Sequence, residues 1–135
     1  MQPSACFYGD DFTGATASLA KFHNAGLRSV LFFNTPDRGI LARHAGDAHV
    51  IGIAGTARSL GPAEMISEIL PAFRLFDRLG APFVQYKICS TFDSAPHRGN
   101  LATVLTTARG IFGDRAAPIV PACPGFERYT VFGEH

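Results

Sequence analysis

Short apolar runs alternate with stretches of helical spacing along this chain, and that alternation is the strongest constraint on its fold. Runs of strand length occupy residues 5–8, 28–33, 49–55, 83–90 and 117–120. Stretches with helical spacing occupy residues 13–25, 39–45, 61–79 and 100–112. Strands separated by helices are expected to pair in parallel, because a parallel pair needs a long crossover between its members. The predicted fold is therefore α/β, with a mostly parallel β-sheet flanked by helices in a Rossmann-like, three-layer arrangement.

Single residues mark the ends of several predicted helices. Gly26 follows the first helical stretch, as is typical of a C-cap, and Asn100 precedes the last one as a good N-cap. Pro71 lies inside the longest stretch, where its missing N–H and the clash of its ring cost about 3 kcal/mol. We therefore expect a kink at Pro71, or two helices in place of one.

Length and composition limit the classes of protein to consider. A chain of 135 residues, 47% of them hydrophobic, is long enough for a single domain with one core. A net charge of +1 without any Lys/Arg run argues against nucleic-acid binding.

No apolar run approaches the ~18 residues of a membrane span, and residues 1–4 do not begin a secretory signal, so we expect a cytoplasmic protein without membrane contact. Cys6, Cys89 and Cys123 are far apart in apolar surroundings, which favours buried thiols over disulfides or a metal site.

Polar residues follow the predicted strands at the points where those strands end. After the first, third, fourth and fifth strands come, in order, Asp10 and Asp11; Arg58; Ser90, Thr91 and Asp93; and Gly125, Glu127 and Arg128. In an open parallel sheet the loops after the carboxyl ends of the strands line one edge, and ligands bind there. The sequence therefore predicts a ligand site at this edge of the sheet.

The adjacent carboxylates of Asp10 and Asp11 exceed what a helix start requires. Asp11 alone fits an N-cap at the positive end of the helix dipole, which leaves the other acid unexplained. Both could accept hydrogen bonds from the vicinal hydroxyls of a polyhydroxylated ligand, and one could act as a general base. Residues 9–16 have the spacing of a phosphate-binding P-loop, but Ala15 replaces its lysine and the aspartates would repel phosphate. Phe12 occupies the place of the second acid of an aspartate-dependent phosphatase.

Two cations lie near the same edge. Arg58 is placed to hold a substrate carboxylate through two parallel hydrogen bonds, and the alternative is a solvated loop arginine. Lys87 lies inside an apolar strand. Its ammonium group either reaches water at the edge of the sheet or reaches an anionic substrate, and both readings stay open.

Four segments together resemble the N-terminal, substrate-binding domain of the four-carbon acid sugar kinases. They are GDDFTGAT (9–16), GTARS (55–59), YKICSTFDS (86–94) and VPACPGFERYTVFG (120–133). The resemblance implies an ATP-dependent kinase that phosphorylates a hydroxyl of acids such as threonate, erythronate, 3-oxo-tetronate or 4-hydroxythreonine. It implies that Asp10 and Asp11 are catalytic and contact the sugar hydroxyls, and that Arg58 contacts the carboxylate. The pocket would be completed by Lys87, Ser90 and Thr91.

The sequence departs from the commoner family pattern in two ways. Cys89 stands where many relatives have an aspartate, and we expect Asp93 to replace that acid. The family binds ATP, with Mg²⁺, in a separate C-terminal domain, so residues 1–135 are expected to be a C-terminally truncated acid-sugar-binding domain. Such a chain would bind neither ATP nor a metal, would be inactive alone, and would self-associate through uncovered apolar surface. The alternatives are a non-catalytic module that binds a small hydroxy acid and a partner that completes a site with another chain.

Overall fold

A computed structural model describes residues 2–135, and of the predicted domain 1–135 only Met1 lies outside the described residues. The strands are β1 (Ala5–Gly9), β2 (Ser29–Phe32), β3 (Val50–Ala54) and β4 (Phe83–Lys87). The helices are α1 (Phe12–Asn24), α2 (Arg38–Ala45), α3 (Pro62–Leu79) and α4 (Leu101–Phe112). Short 3-10 turns occupy Ala57–Ser59 and Pro124–Phe126.

The four strands form one parallel sheet in the order β2-β3-β1-β4, which confirms the predicted fold class. Successive residues of β1 face opposite sides of the sheet, as the pleat requires. Phe7 packs on the face covered by α1, whereas Cys6 and Tyr8 belong to the larger core beneath α2, α3 and α4. The helices therefore form a layer on each side of the sheet.

The predicted fifth strand was wrong. Residues 117–120 carry no strand or helix, and Ile119 and Val120 are 53% and 73% exposed. Pro118 lies inside this segment and Pro121 directly follows it. Neither residue has an N–H to donate to a neighbouring strand, so the segment is poorly suited to a sheet.

The structure also answers two smaller expectations. Pro71 lies within the single helix α3, so the expectation of two helices was wrong, while the kink stays a prediction. Pro71 is exposed, which leaves the carbonyl it cannot bond to open to water. All three cysteines are free thiols, but only Cys6 is buried; Cys89 and Cys123 are half-buried because they lie in loops outside the sheet.

No helix between Gln2 and His135 is both long enough and apolar enough to cross a bilayer.

Candidate functional site

The loops after β1, β3 and β4 surround a cavity of about 740 Å³ at the carboxyl edge of the sheet. Its charged lining residues are Asp10, Asp11, Arg58, Asp93 and Arg98, and the rings of Phe12 and Phe92 form apolar parts of the wall. Four of the residues predicted from the sequence, the three aspartates and Arg58, therefore lie together. The central position of β1 places the paired acids between the other loops.

Asp10 is a buried acid without a full set of partners. The residue is 5% exposed, and its Oδ1 atom has no hydrogen-bond partner among the described residues. Burial, and after it the neighbouring charge of Asp11, raises the pKa of this carboxyl group to about 6 against the opposing charges of Arg58 and Lys87. Asp10 is therefore ionised for the most part at neutral pH and can accept a hydrogen bond or a proton.

Asp11 uses its two carboxylate oxygens for different tasks. Oδ1 accepts a hydrogen bond from the backbone N–H of Gly14 and so caps α1, as its position before the helix predicts. Oδ2 lies 2.9 Å from Nη1 of Arg58 and forms an ion pair with it. The helix start and the loop after β3 are thereby joined through one side chain.

Arg58 connects three loops. Its backbone N–H donates to the carbonyl of Asp10 at 3.2 Å, and its Nη2 donates to Thr91 Oγ1 at 3.2 Å. The same Nη2 also pairs with Asp93. Hydrogen bonds from Thr91 and then from Arg58 lower the pKa of Asp93. Both ends of the guanidinium group are therefore already engaged by carboxylates.

Lys87 and Ser90 do not line this cavity. The ammonium group of Lys87 donates to the carbonyl of Ile88, and its charge reaches the site through its effect on Asp10. Ser90 lies in a neighbouring depression of about 480 Å³, where its hydroxyl contacts the guanidinium group of Arg128. That depression is also lined by Thr91 and Glu127, so two of the three residues after the predicted fifth strand approach this edge although the strand does not form.

Glu68 also takes part in this region, and the sequence patterns did not predict it. Glu68 on α3 accepts hydrogen bonds from the backbone N–H of Thr56 at 2.6 Å, from the hydroxyl of Thr56 at 2.8 Å and from the hydroxyl of Tyr8. Burial opposes its ionisation, but the hydrogen bonds from Tyr8 and Thr56 outweigh it and lower the pKa of Glu68. The sequence could have pointed to Glu68, because it lies three residues after the buried Met65 and therefore at the border of the apolar face of α3.

The turn after β1 does not fit a nucleotide phosphate. A Cβ atom on Gly9 would lie 2.6 Å from the Cβ of Ala15, so the space inside the turn is already filled. The N–H of Gly14, which a phosphate would need, is bonded to Asp11. Among the residues from Gln2 to the end of the chain, no three His, Cys, Asp or Glu side chains are grouped so as to hold a metal ion.

Residues 5–135 match the family described as the sugar-binding N-terminal domain. The chain belongs to this family. It is 35% identical over 127 residues to a 3-oxo-isoapionate kinase of Paraburkholderia graminis, which covers 94% of this chain and 27% of the relative. It is 32% identical over 115 residues to a 3-oxo-tetronate kinase of Methylobacterium radiotolerans, which covers 85% of this chain and 26% of the relative. The resemblance to the N-terminal domain of sugar-acid kinases is thus confirmed, and the chain spans about a quarter of the length of these relatives.

The fold has a counterpart among solved structures. A crystal structure from Salmonella typhimurium LT2, described as a candidate tRNA synthase, superposes with a TM-score of 0.67 and 27% sequence identity. The match covers 80% of this chain and 25% of the other. This similarity supports the α/β arrangement that positions the site.

Proposed function

We propose that this chain is the acid-sugar-binding part of an ATP-dependent kinase that phosphorylates a hydroxyl of a four-carbon sugar acid, such as threonate, erythronate or 3-oxo-tetronate. The observation that carries the proposal is the unpartnered Oδ1 of Asp10 in the cavity wall. A buried polar atom without a partner is costly, and a ligand hydroxyl would satisfy it. The sugar-acid kinase names of the relatives agree with this chemistry.

The proposed roles follow from the contacts in the cavity. Asp10 and Asp11 would accept hydrogen bonds from the sugar hydroxyls. Asp10 is the proposed general base, because its raised pKa lies close to neutral pH. Asp93 takes over the place of the aspartate that Cys89 replaces, because it holds Arg58 together with Thr91. Lys87 and Ser90 stay predicted substrate contacts at the border of the site.

ATP, with Mg²⁺, would supply the transferred phosphoryl group and neutralise its charge. The turn after β1 has no space for that phosphate, and the N–H of Gly14 that would hold it is bonded to Asp11. We therefore propose that these 135 residues bind the acid without phosphorylating it. A non-catalytic module for small hydroxy acids is the alternative, since the same cavity would serve it.

Calorimetry with threonate, erythronate and 3-oxo-tetronate tests the proposed binding. The wild-type chain should bind at least one of these acids, and Asp10→Asn should weaken that binding at least tenfold, because a bond to a charged acceptor contributes about 1.5–3 kcal/mol. Asp77→Asn is the matched control: this exposed residue lies in the last turn of α3, and its carbonyl accepts from the N–H of Gly80, which contacts Gln2 at the opposite edge of the sheet. Failure of the wild type to bind any of the acids would refute the proposal.

An assay of ADP formation tests the second part of the proposal. With ATP, Mg²⁺ and the bound acid, the 135-residue chain should release no ADP above background. Clear, acid-dependent ADP formation would contradict the proposed separation of binding from phosphoryl transfer. A longer chain that contains these residues and turns over ATP with the same acid would favour the kinase over the non-catalytic module.

We also propose that the chain self-associates through its final segment, residues 119–132. Large apolar side chains are exposed there, namely Ile119, Val120, Phe126, Tyr129, Val131 and Phe132. Clustered exposed apolar groups favour association because contact removes them from water. Sedimentation velocity should show a species heavier than the monomer at micromolar concentration, and Phe132→Ser should shift the distribution toward the monomer. A monomer at every concentration would contradict this proposal.

A further inference from the structure

The charge of Arg58 is already neutralised inside the cavity. Nη1 pairs with Asp11 at 2.9 Å, and Nη2 pairs with Asp93 and also donates a hydrogen bond to the hydroxyl of Thr91. A substrate carboxylate would have to displace one of these acids before it could form two parallel hydrogen bonds with this guanidinium group. It would also meet the negative charge of the displaced acid, which makes Arg58 an unfavourable anchor for a carboxylate.

Arg98 is the other cation in the cavity wall, and its side chain is uncommitted. Across the described residues it forms no hydrogen bond and no ion pair through its guanidinium group, although its charge contributes to the lowered pKa of Asp93. The cavity therefore contains one guanidinium group held by two acids and one that is open to a ligand. An incoming anion meets a full set of donors only at Arg98.

The backbone of Arg98 is nonetheless well fixed. Its N–H donates to the carbonyl of Ala95 at 3.3 Å, and the N–H of Ala95 donates back to the carbonyl of Arg98 at 3.0 Å. The next residue, Gly99, donates to the carbonyl of Leu60 at 3.0 Å. A Cβ on Gly99 would lie 2.7 Å from the carbonyl oxygen of Arg58, so the two loops are in direct contact. The start of the Arg98 side chain is thus held beside the acids that face the sugar hydroxyls.

We propose that Arg98, rather than Arg58, binds the carboxylate of the sugar acid and gives the site its preference for acids over neutral polyols. The inference rests on the proposed function and adds to it a residue that determines specificity. Asp10 and Asp11 then serve the hydroxyl end of the ligand, Arg98 serves the carboxylate end, and Arg58 positions Asp11 and Asp93.

The test compares a charged ligand with its neutral analogue. Calorimetry is carried out with threonate and with threitol, which has the same carbon chain without the carboxylate, on the wild type and on Arg98→Gln, Arg98→Lys and Arg78→Gln. Arg98→Gln should weaken threonate binding at least tenfold and leave threitol binding unchanged, because only the acid loses a charged partner. Arg98→Lys should retain much of the preference. Arg78→Gln removes the same charge near the opposite end of α3 and should change neither affinity.

The outcomes separate this inference from the function on which it rests. A wild-type chain that binds neither ligand refutes the proposed function and the inference together. A chain that binds threonate with an unchanged preference over threitol after Arg98→Gln refutes the inference alone. Inorganic phosphate is a third ligand: if Arg98→Gln weakens phosphate binding and leaves threonate binding intact, Arg98 serves a phosphoryl group and the assignment to the carboxylate is overturned.

Discussion

Replacing Gly99 with alanine tests the contact between the two loops that carry Arg58 and Arg98. Gly99 has a φ of 57°, in the left-handed region, and an added Cβ would lie 2.7 Å from the carbonyl oxygen of Arg58. The left-handed conformation costs a non-glycine residue about 1–2 kcal/mol. Overpacking against atoms that must move costs about 1–3 kcal/mol more. We therefore expect Gly99→Ala to lower the free energy of unfolding by about 2–5 kcal/mol.

Gly26→Ala is the matched control for this experiment. Gly26 has a φ of 81° but no atom within 4 Å of an added Cβ, so this variant carries the conformational cost alone. Urea unfolding followed by circular dichroism gives both free energies, and unchanged slopes would show that the variants unfold like the wild type. Gly99→Ala should be the less stable variant by about 1–3 kcal/mol and should also bind threonate more weakly. Equal losses in the two variants would refute the close approach of the loops.

Two further predictions concern acids of the same region. Because the pKa of Asp10 is raised from 3.8 to about 6 in the folded protein, its favourable contribution is complete below pH 3.8 and is lost as the pH rises through about 6. Asp10→Asn should therefore unfold at higher urea concentration than the wild type at pH 8, with the difference shrinking toward pH 4. The same difference at both pH values would contradict a raised pKa of Asp10. Glu68→Gln should lower the free energy of unfolding by about 1–3 kcal/mol at neutral pH, because Tyr8 and Thr56 lose a charged acceptor. Since the pKa of Glu68 is lowered by folding, that loss should diminish as the pH falls below the range in which this carboxylate is ionised. A loss of the same size at every pH would contradict a role for the negative charge of Glu68.

The main elements of the fold could be predicted from local signals. Apolar runs identified the four strands, and Asn100 caps α4 through its side chain, as expected from the sequence. Local signals failed where two of them conflicted. The apolar residues at 117–120 favoured a strand, but Pro118 removes a ladder donor from this four-residue stretch, which has few to lose.

The candidate site could be predicted only in part. The rule that ligands bind at the carboxyl ends of parallel strands predicted that Asp10, Asp11 and Arg58 lie close together. In the structure these three residues line the same cavity. The rule says which loops meet but not which side chains bond to each other. The engagement of Arg58 by two acids, and with it the free charge of Arg98, depends on distances that only the folded chain defines.

The strand order has a consequence for how the cavity is assembled during synthesis. Ala5 in the central strand pairs with Val50 on one side and with Phe83 on the other, so both neighbours of β1 leave the ribosome well after it. Contacts between such distant parts of a chain form slowly and late. A nascent chain that ends before β4 lacks Thr91 and Asp93, so it has no loop to hold the far side of Arg58. The first acids of the site to be made thus wait for its last loop before the ion-pair network around Arg58 is complete.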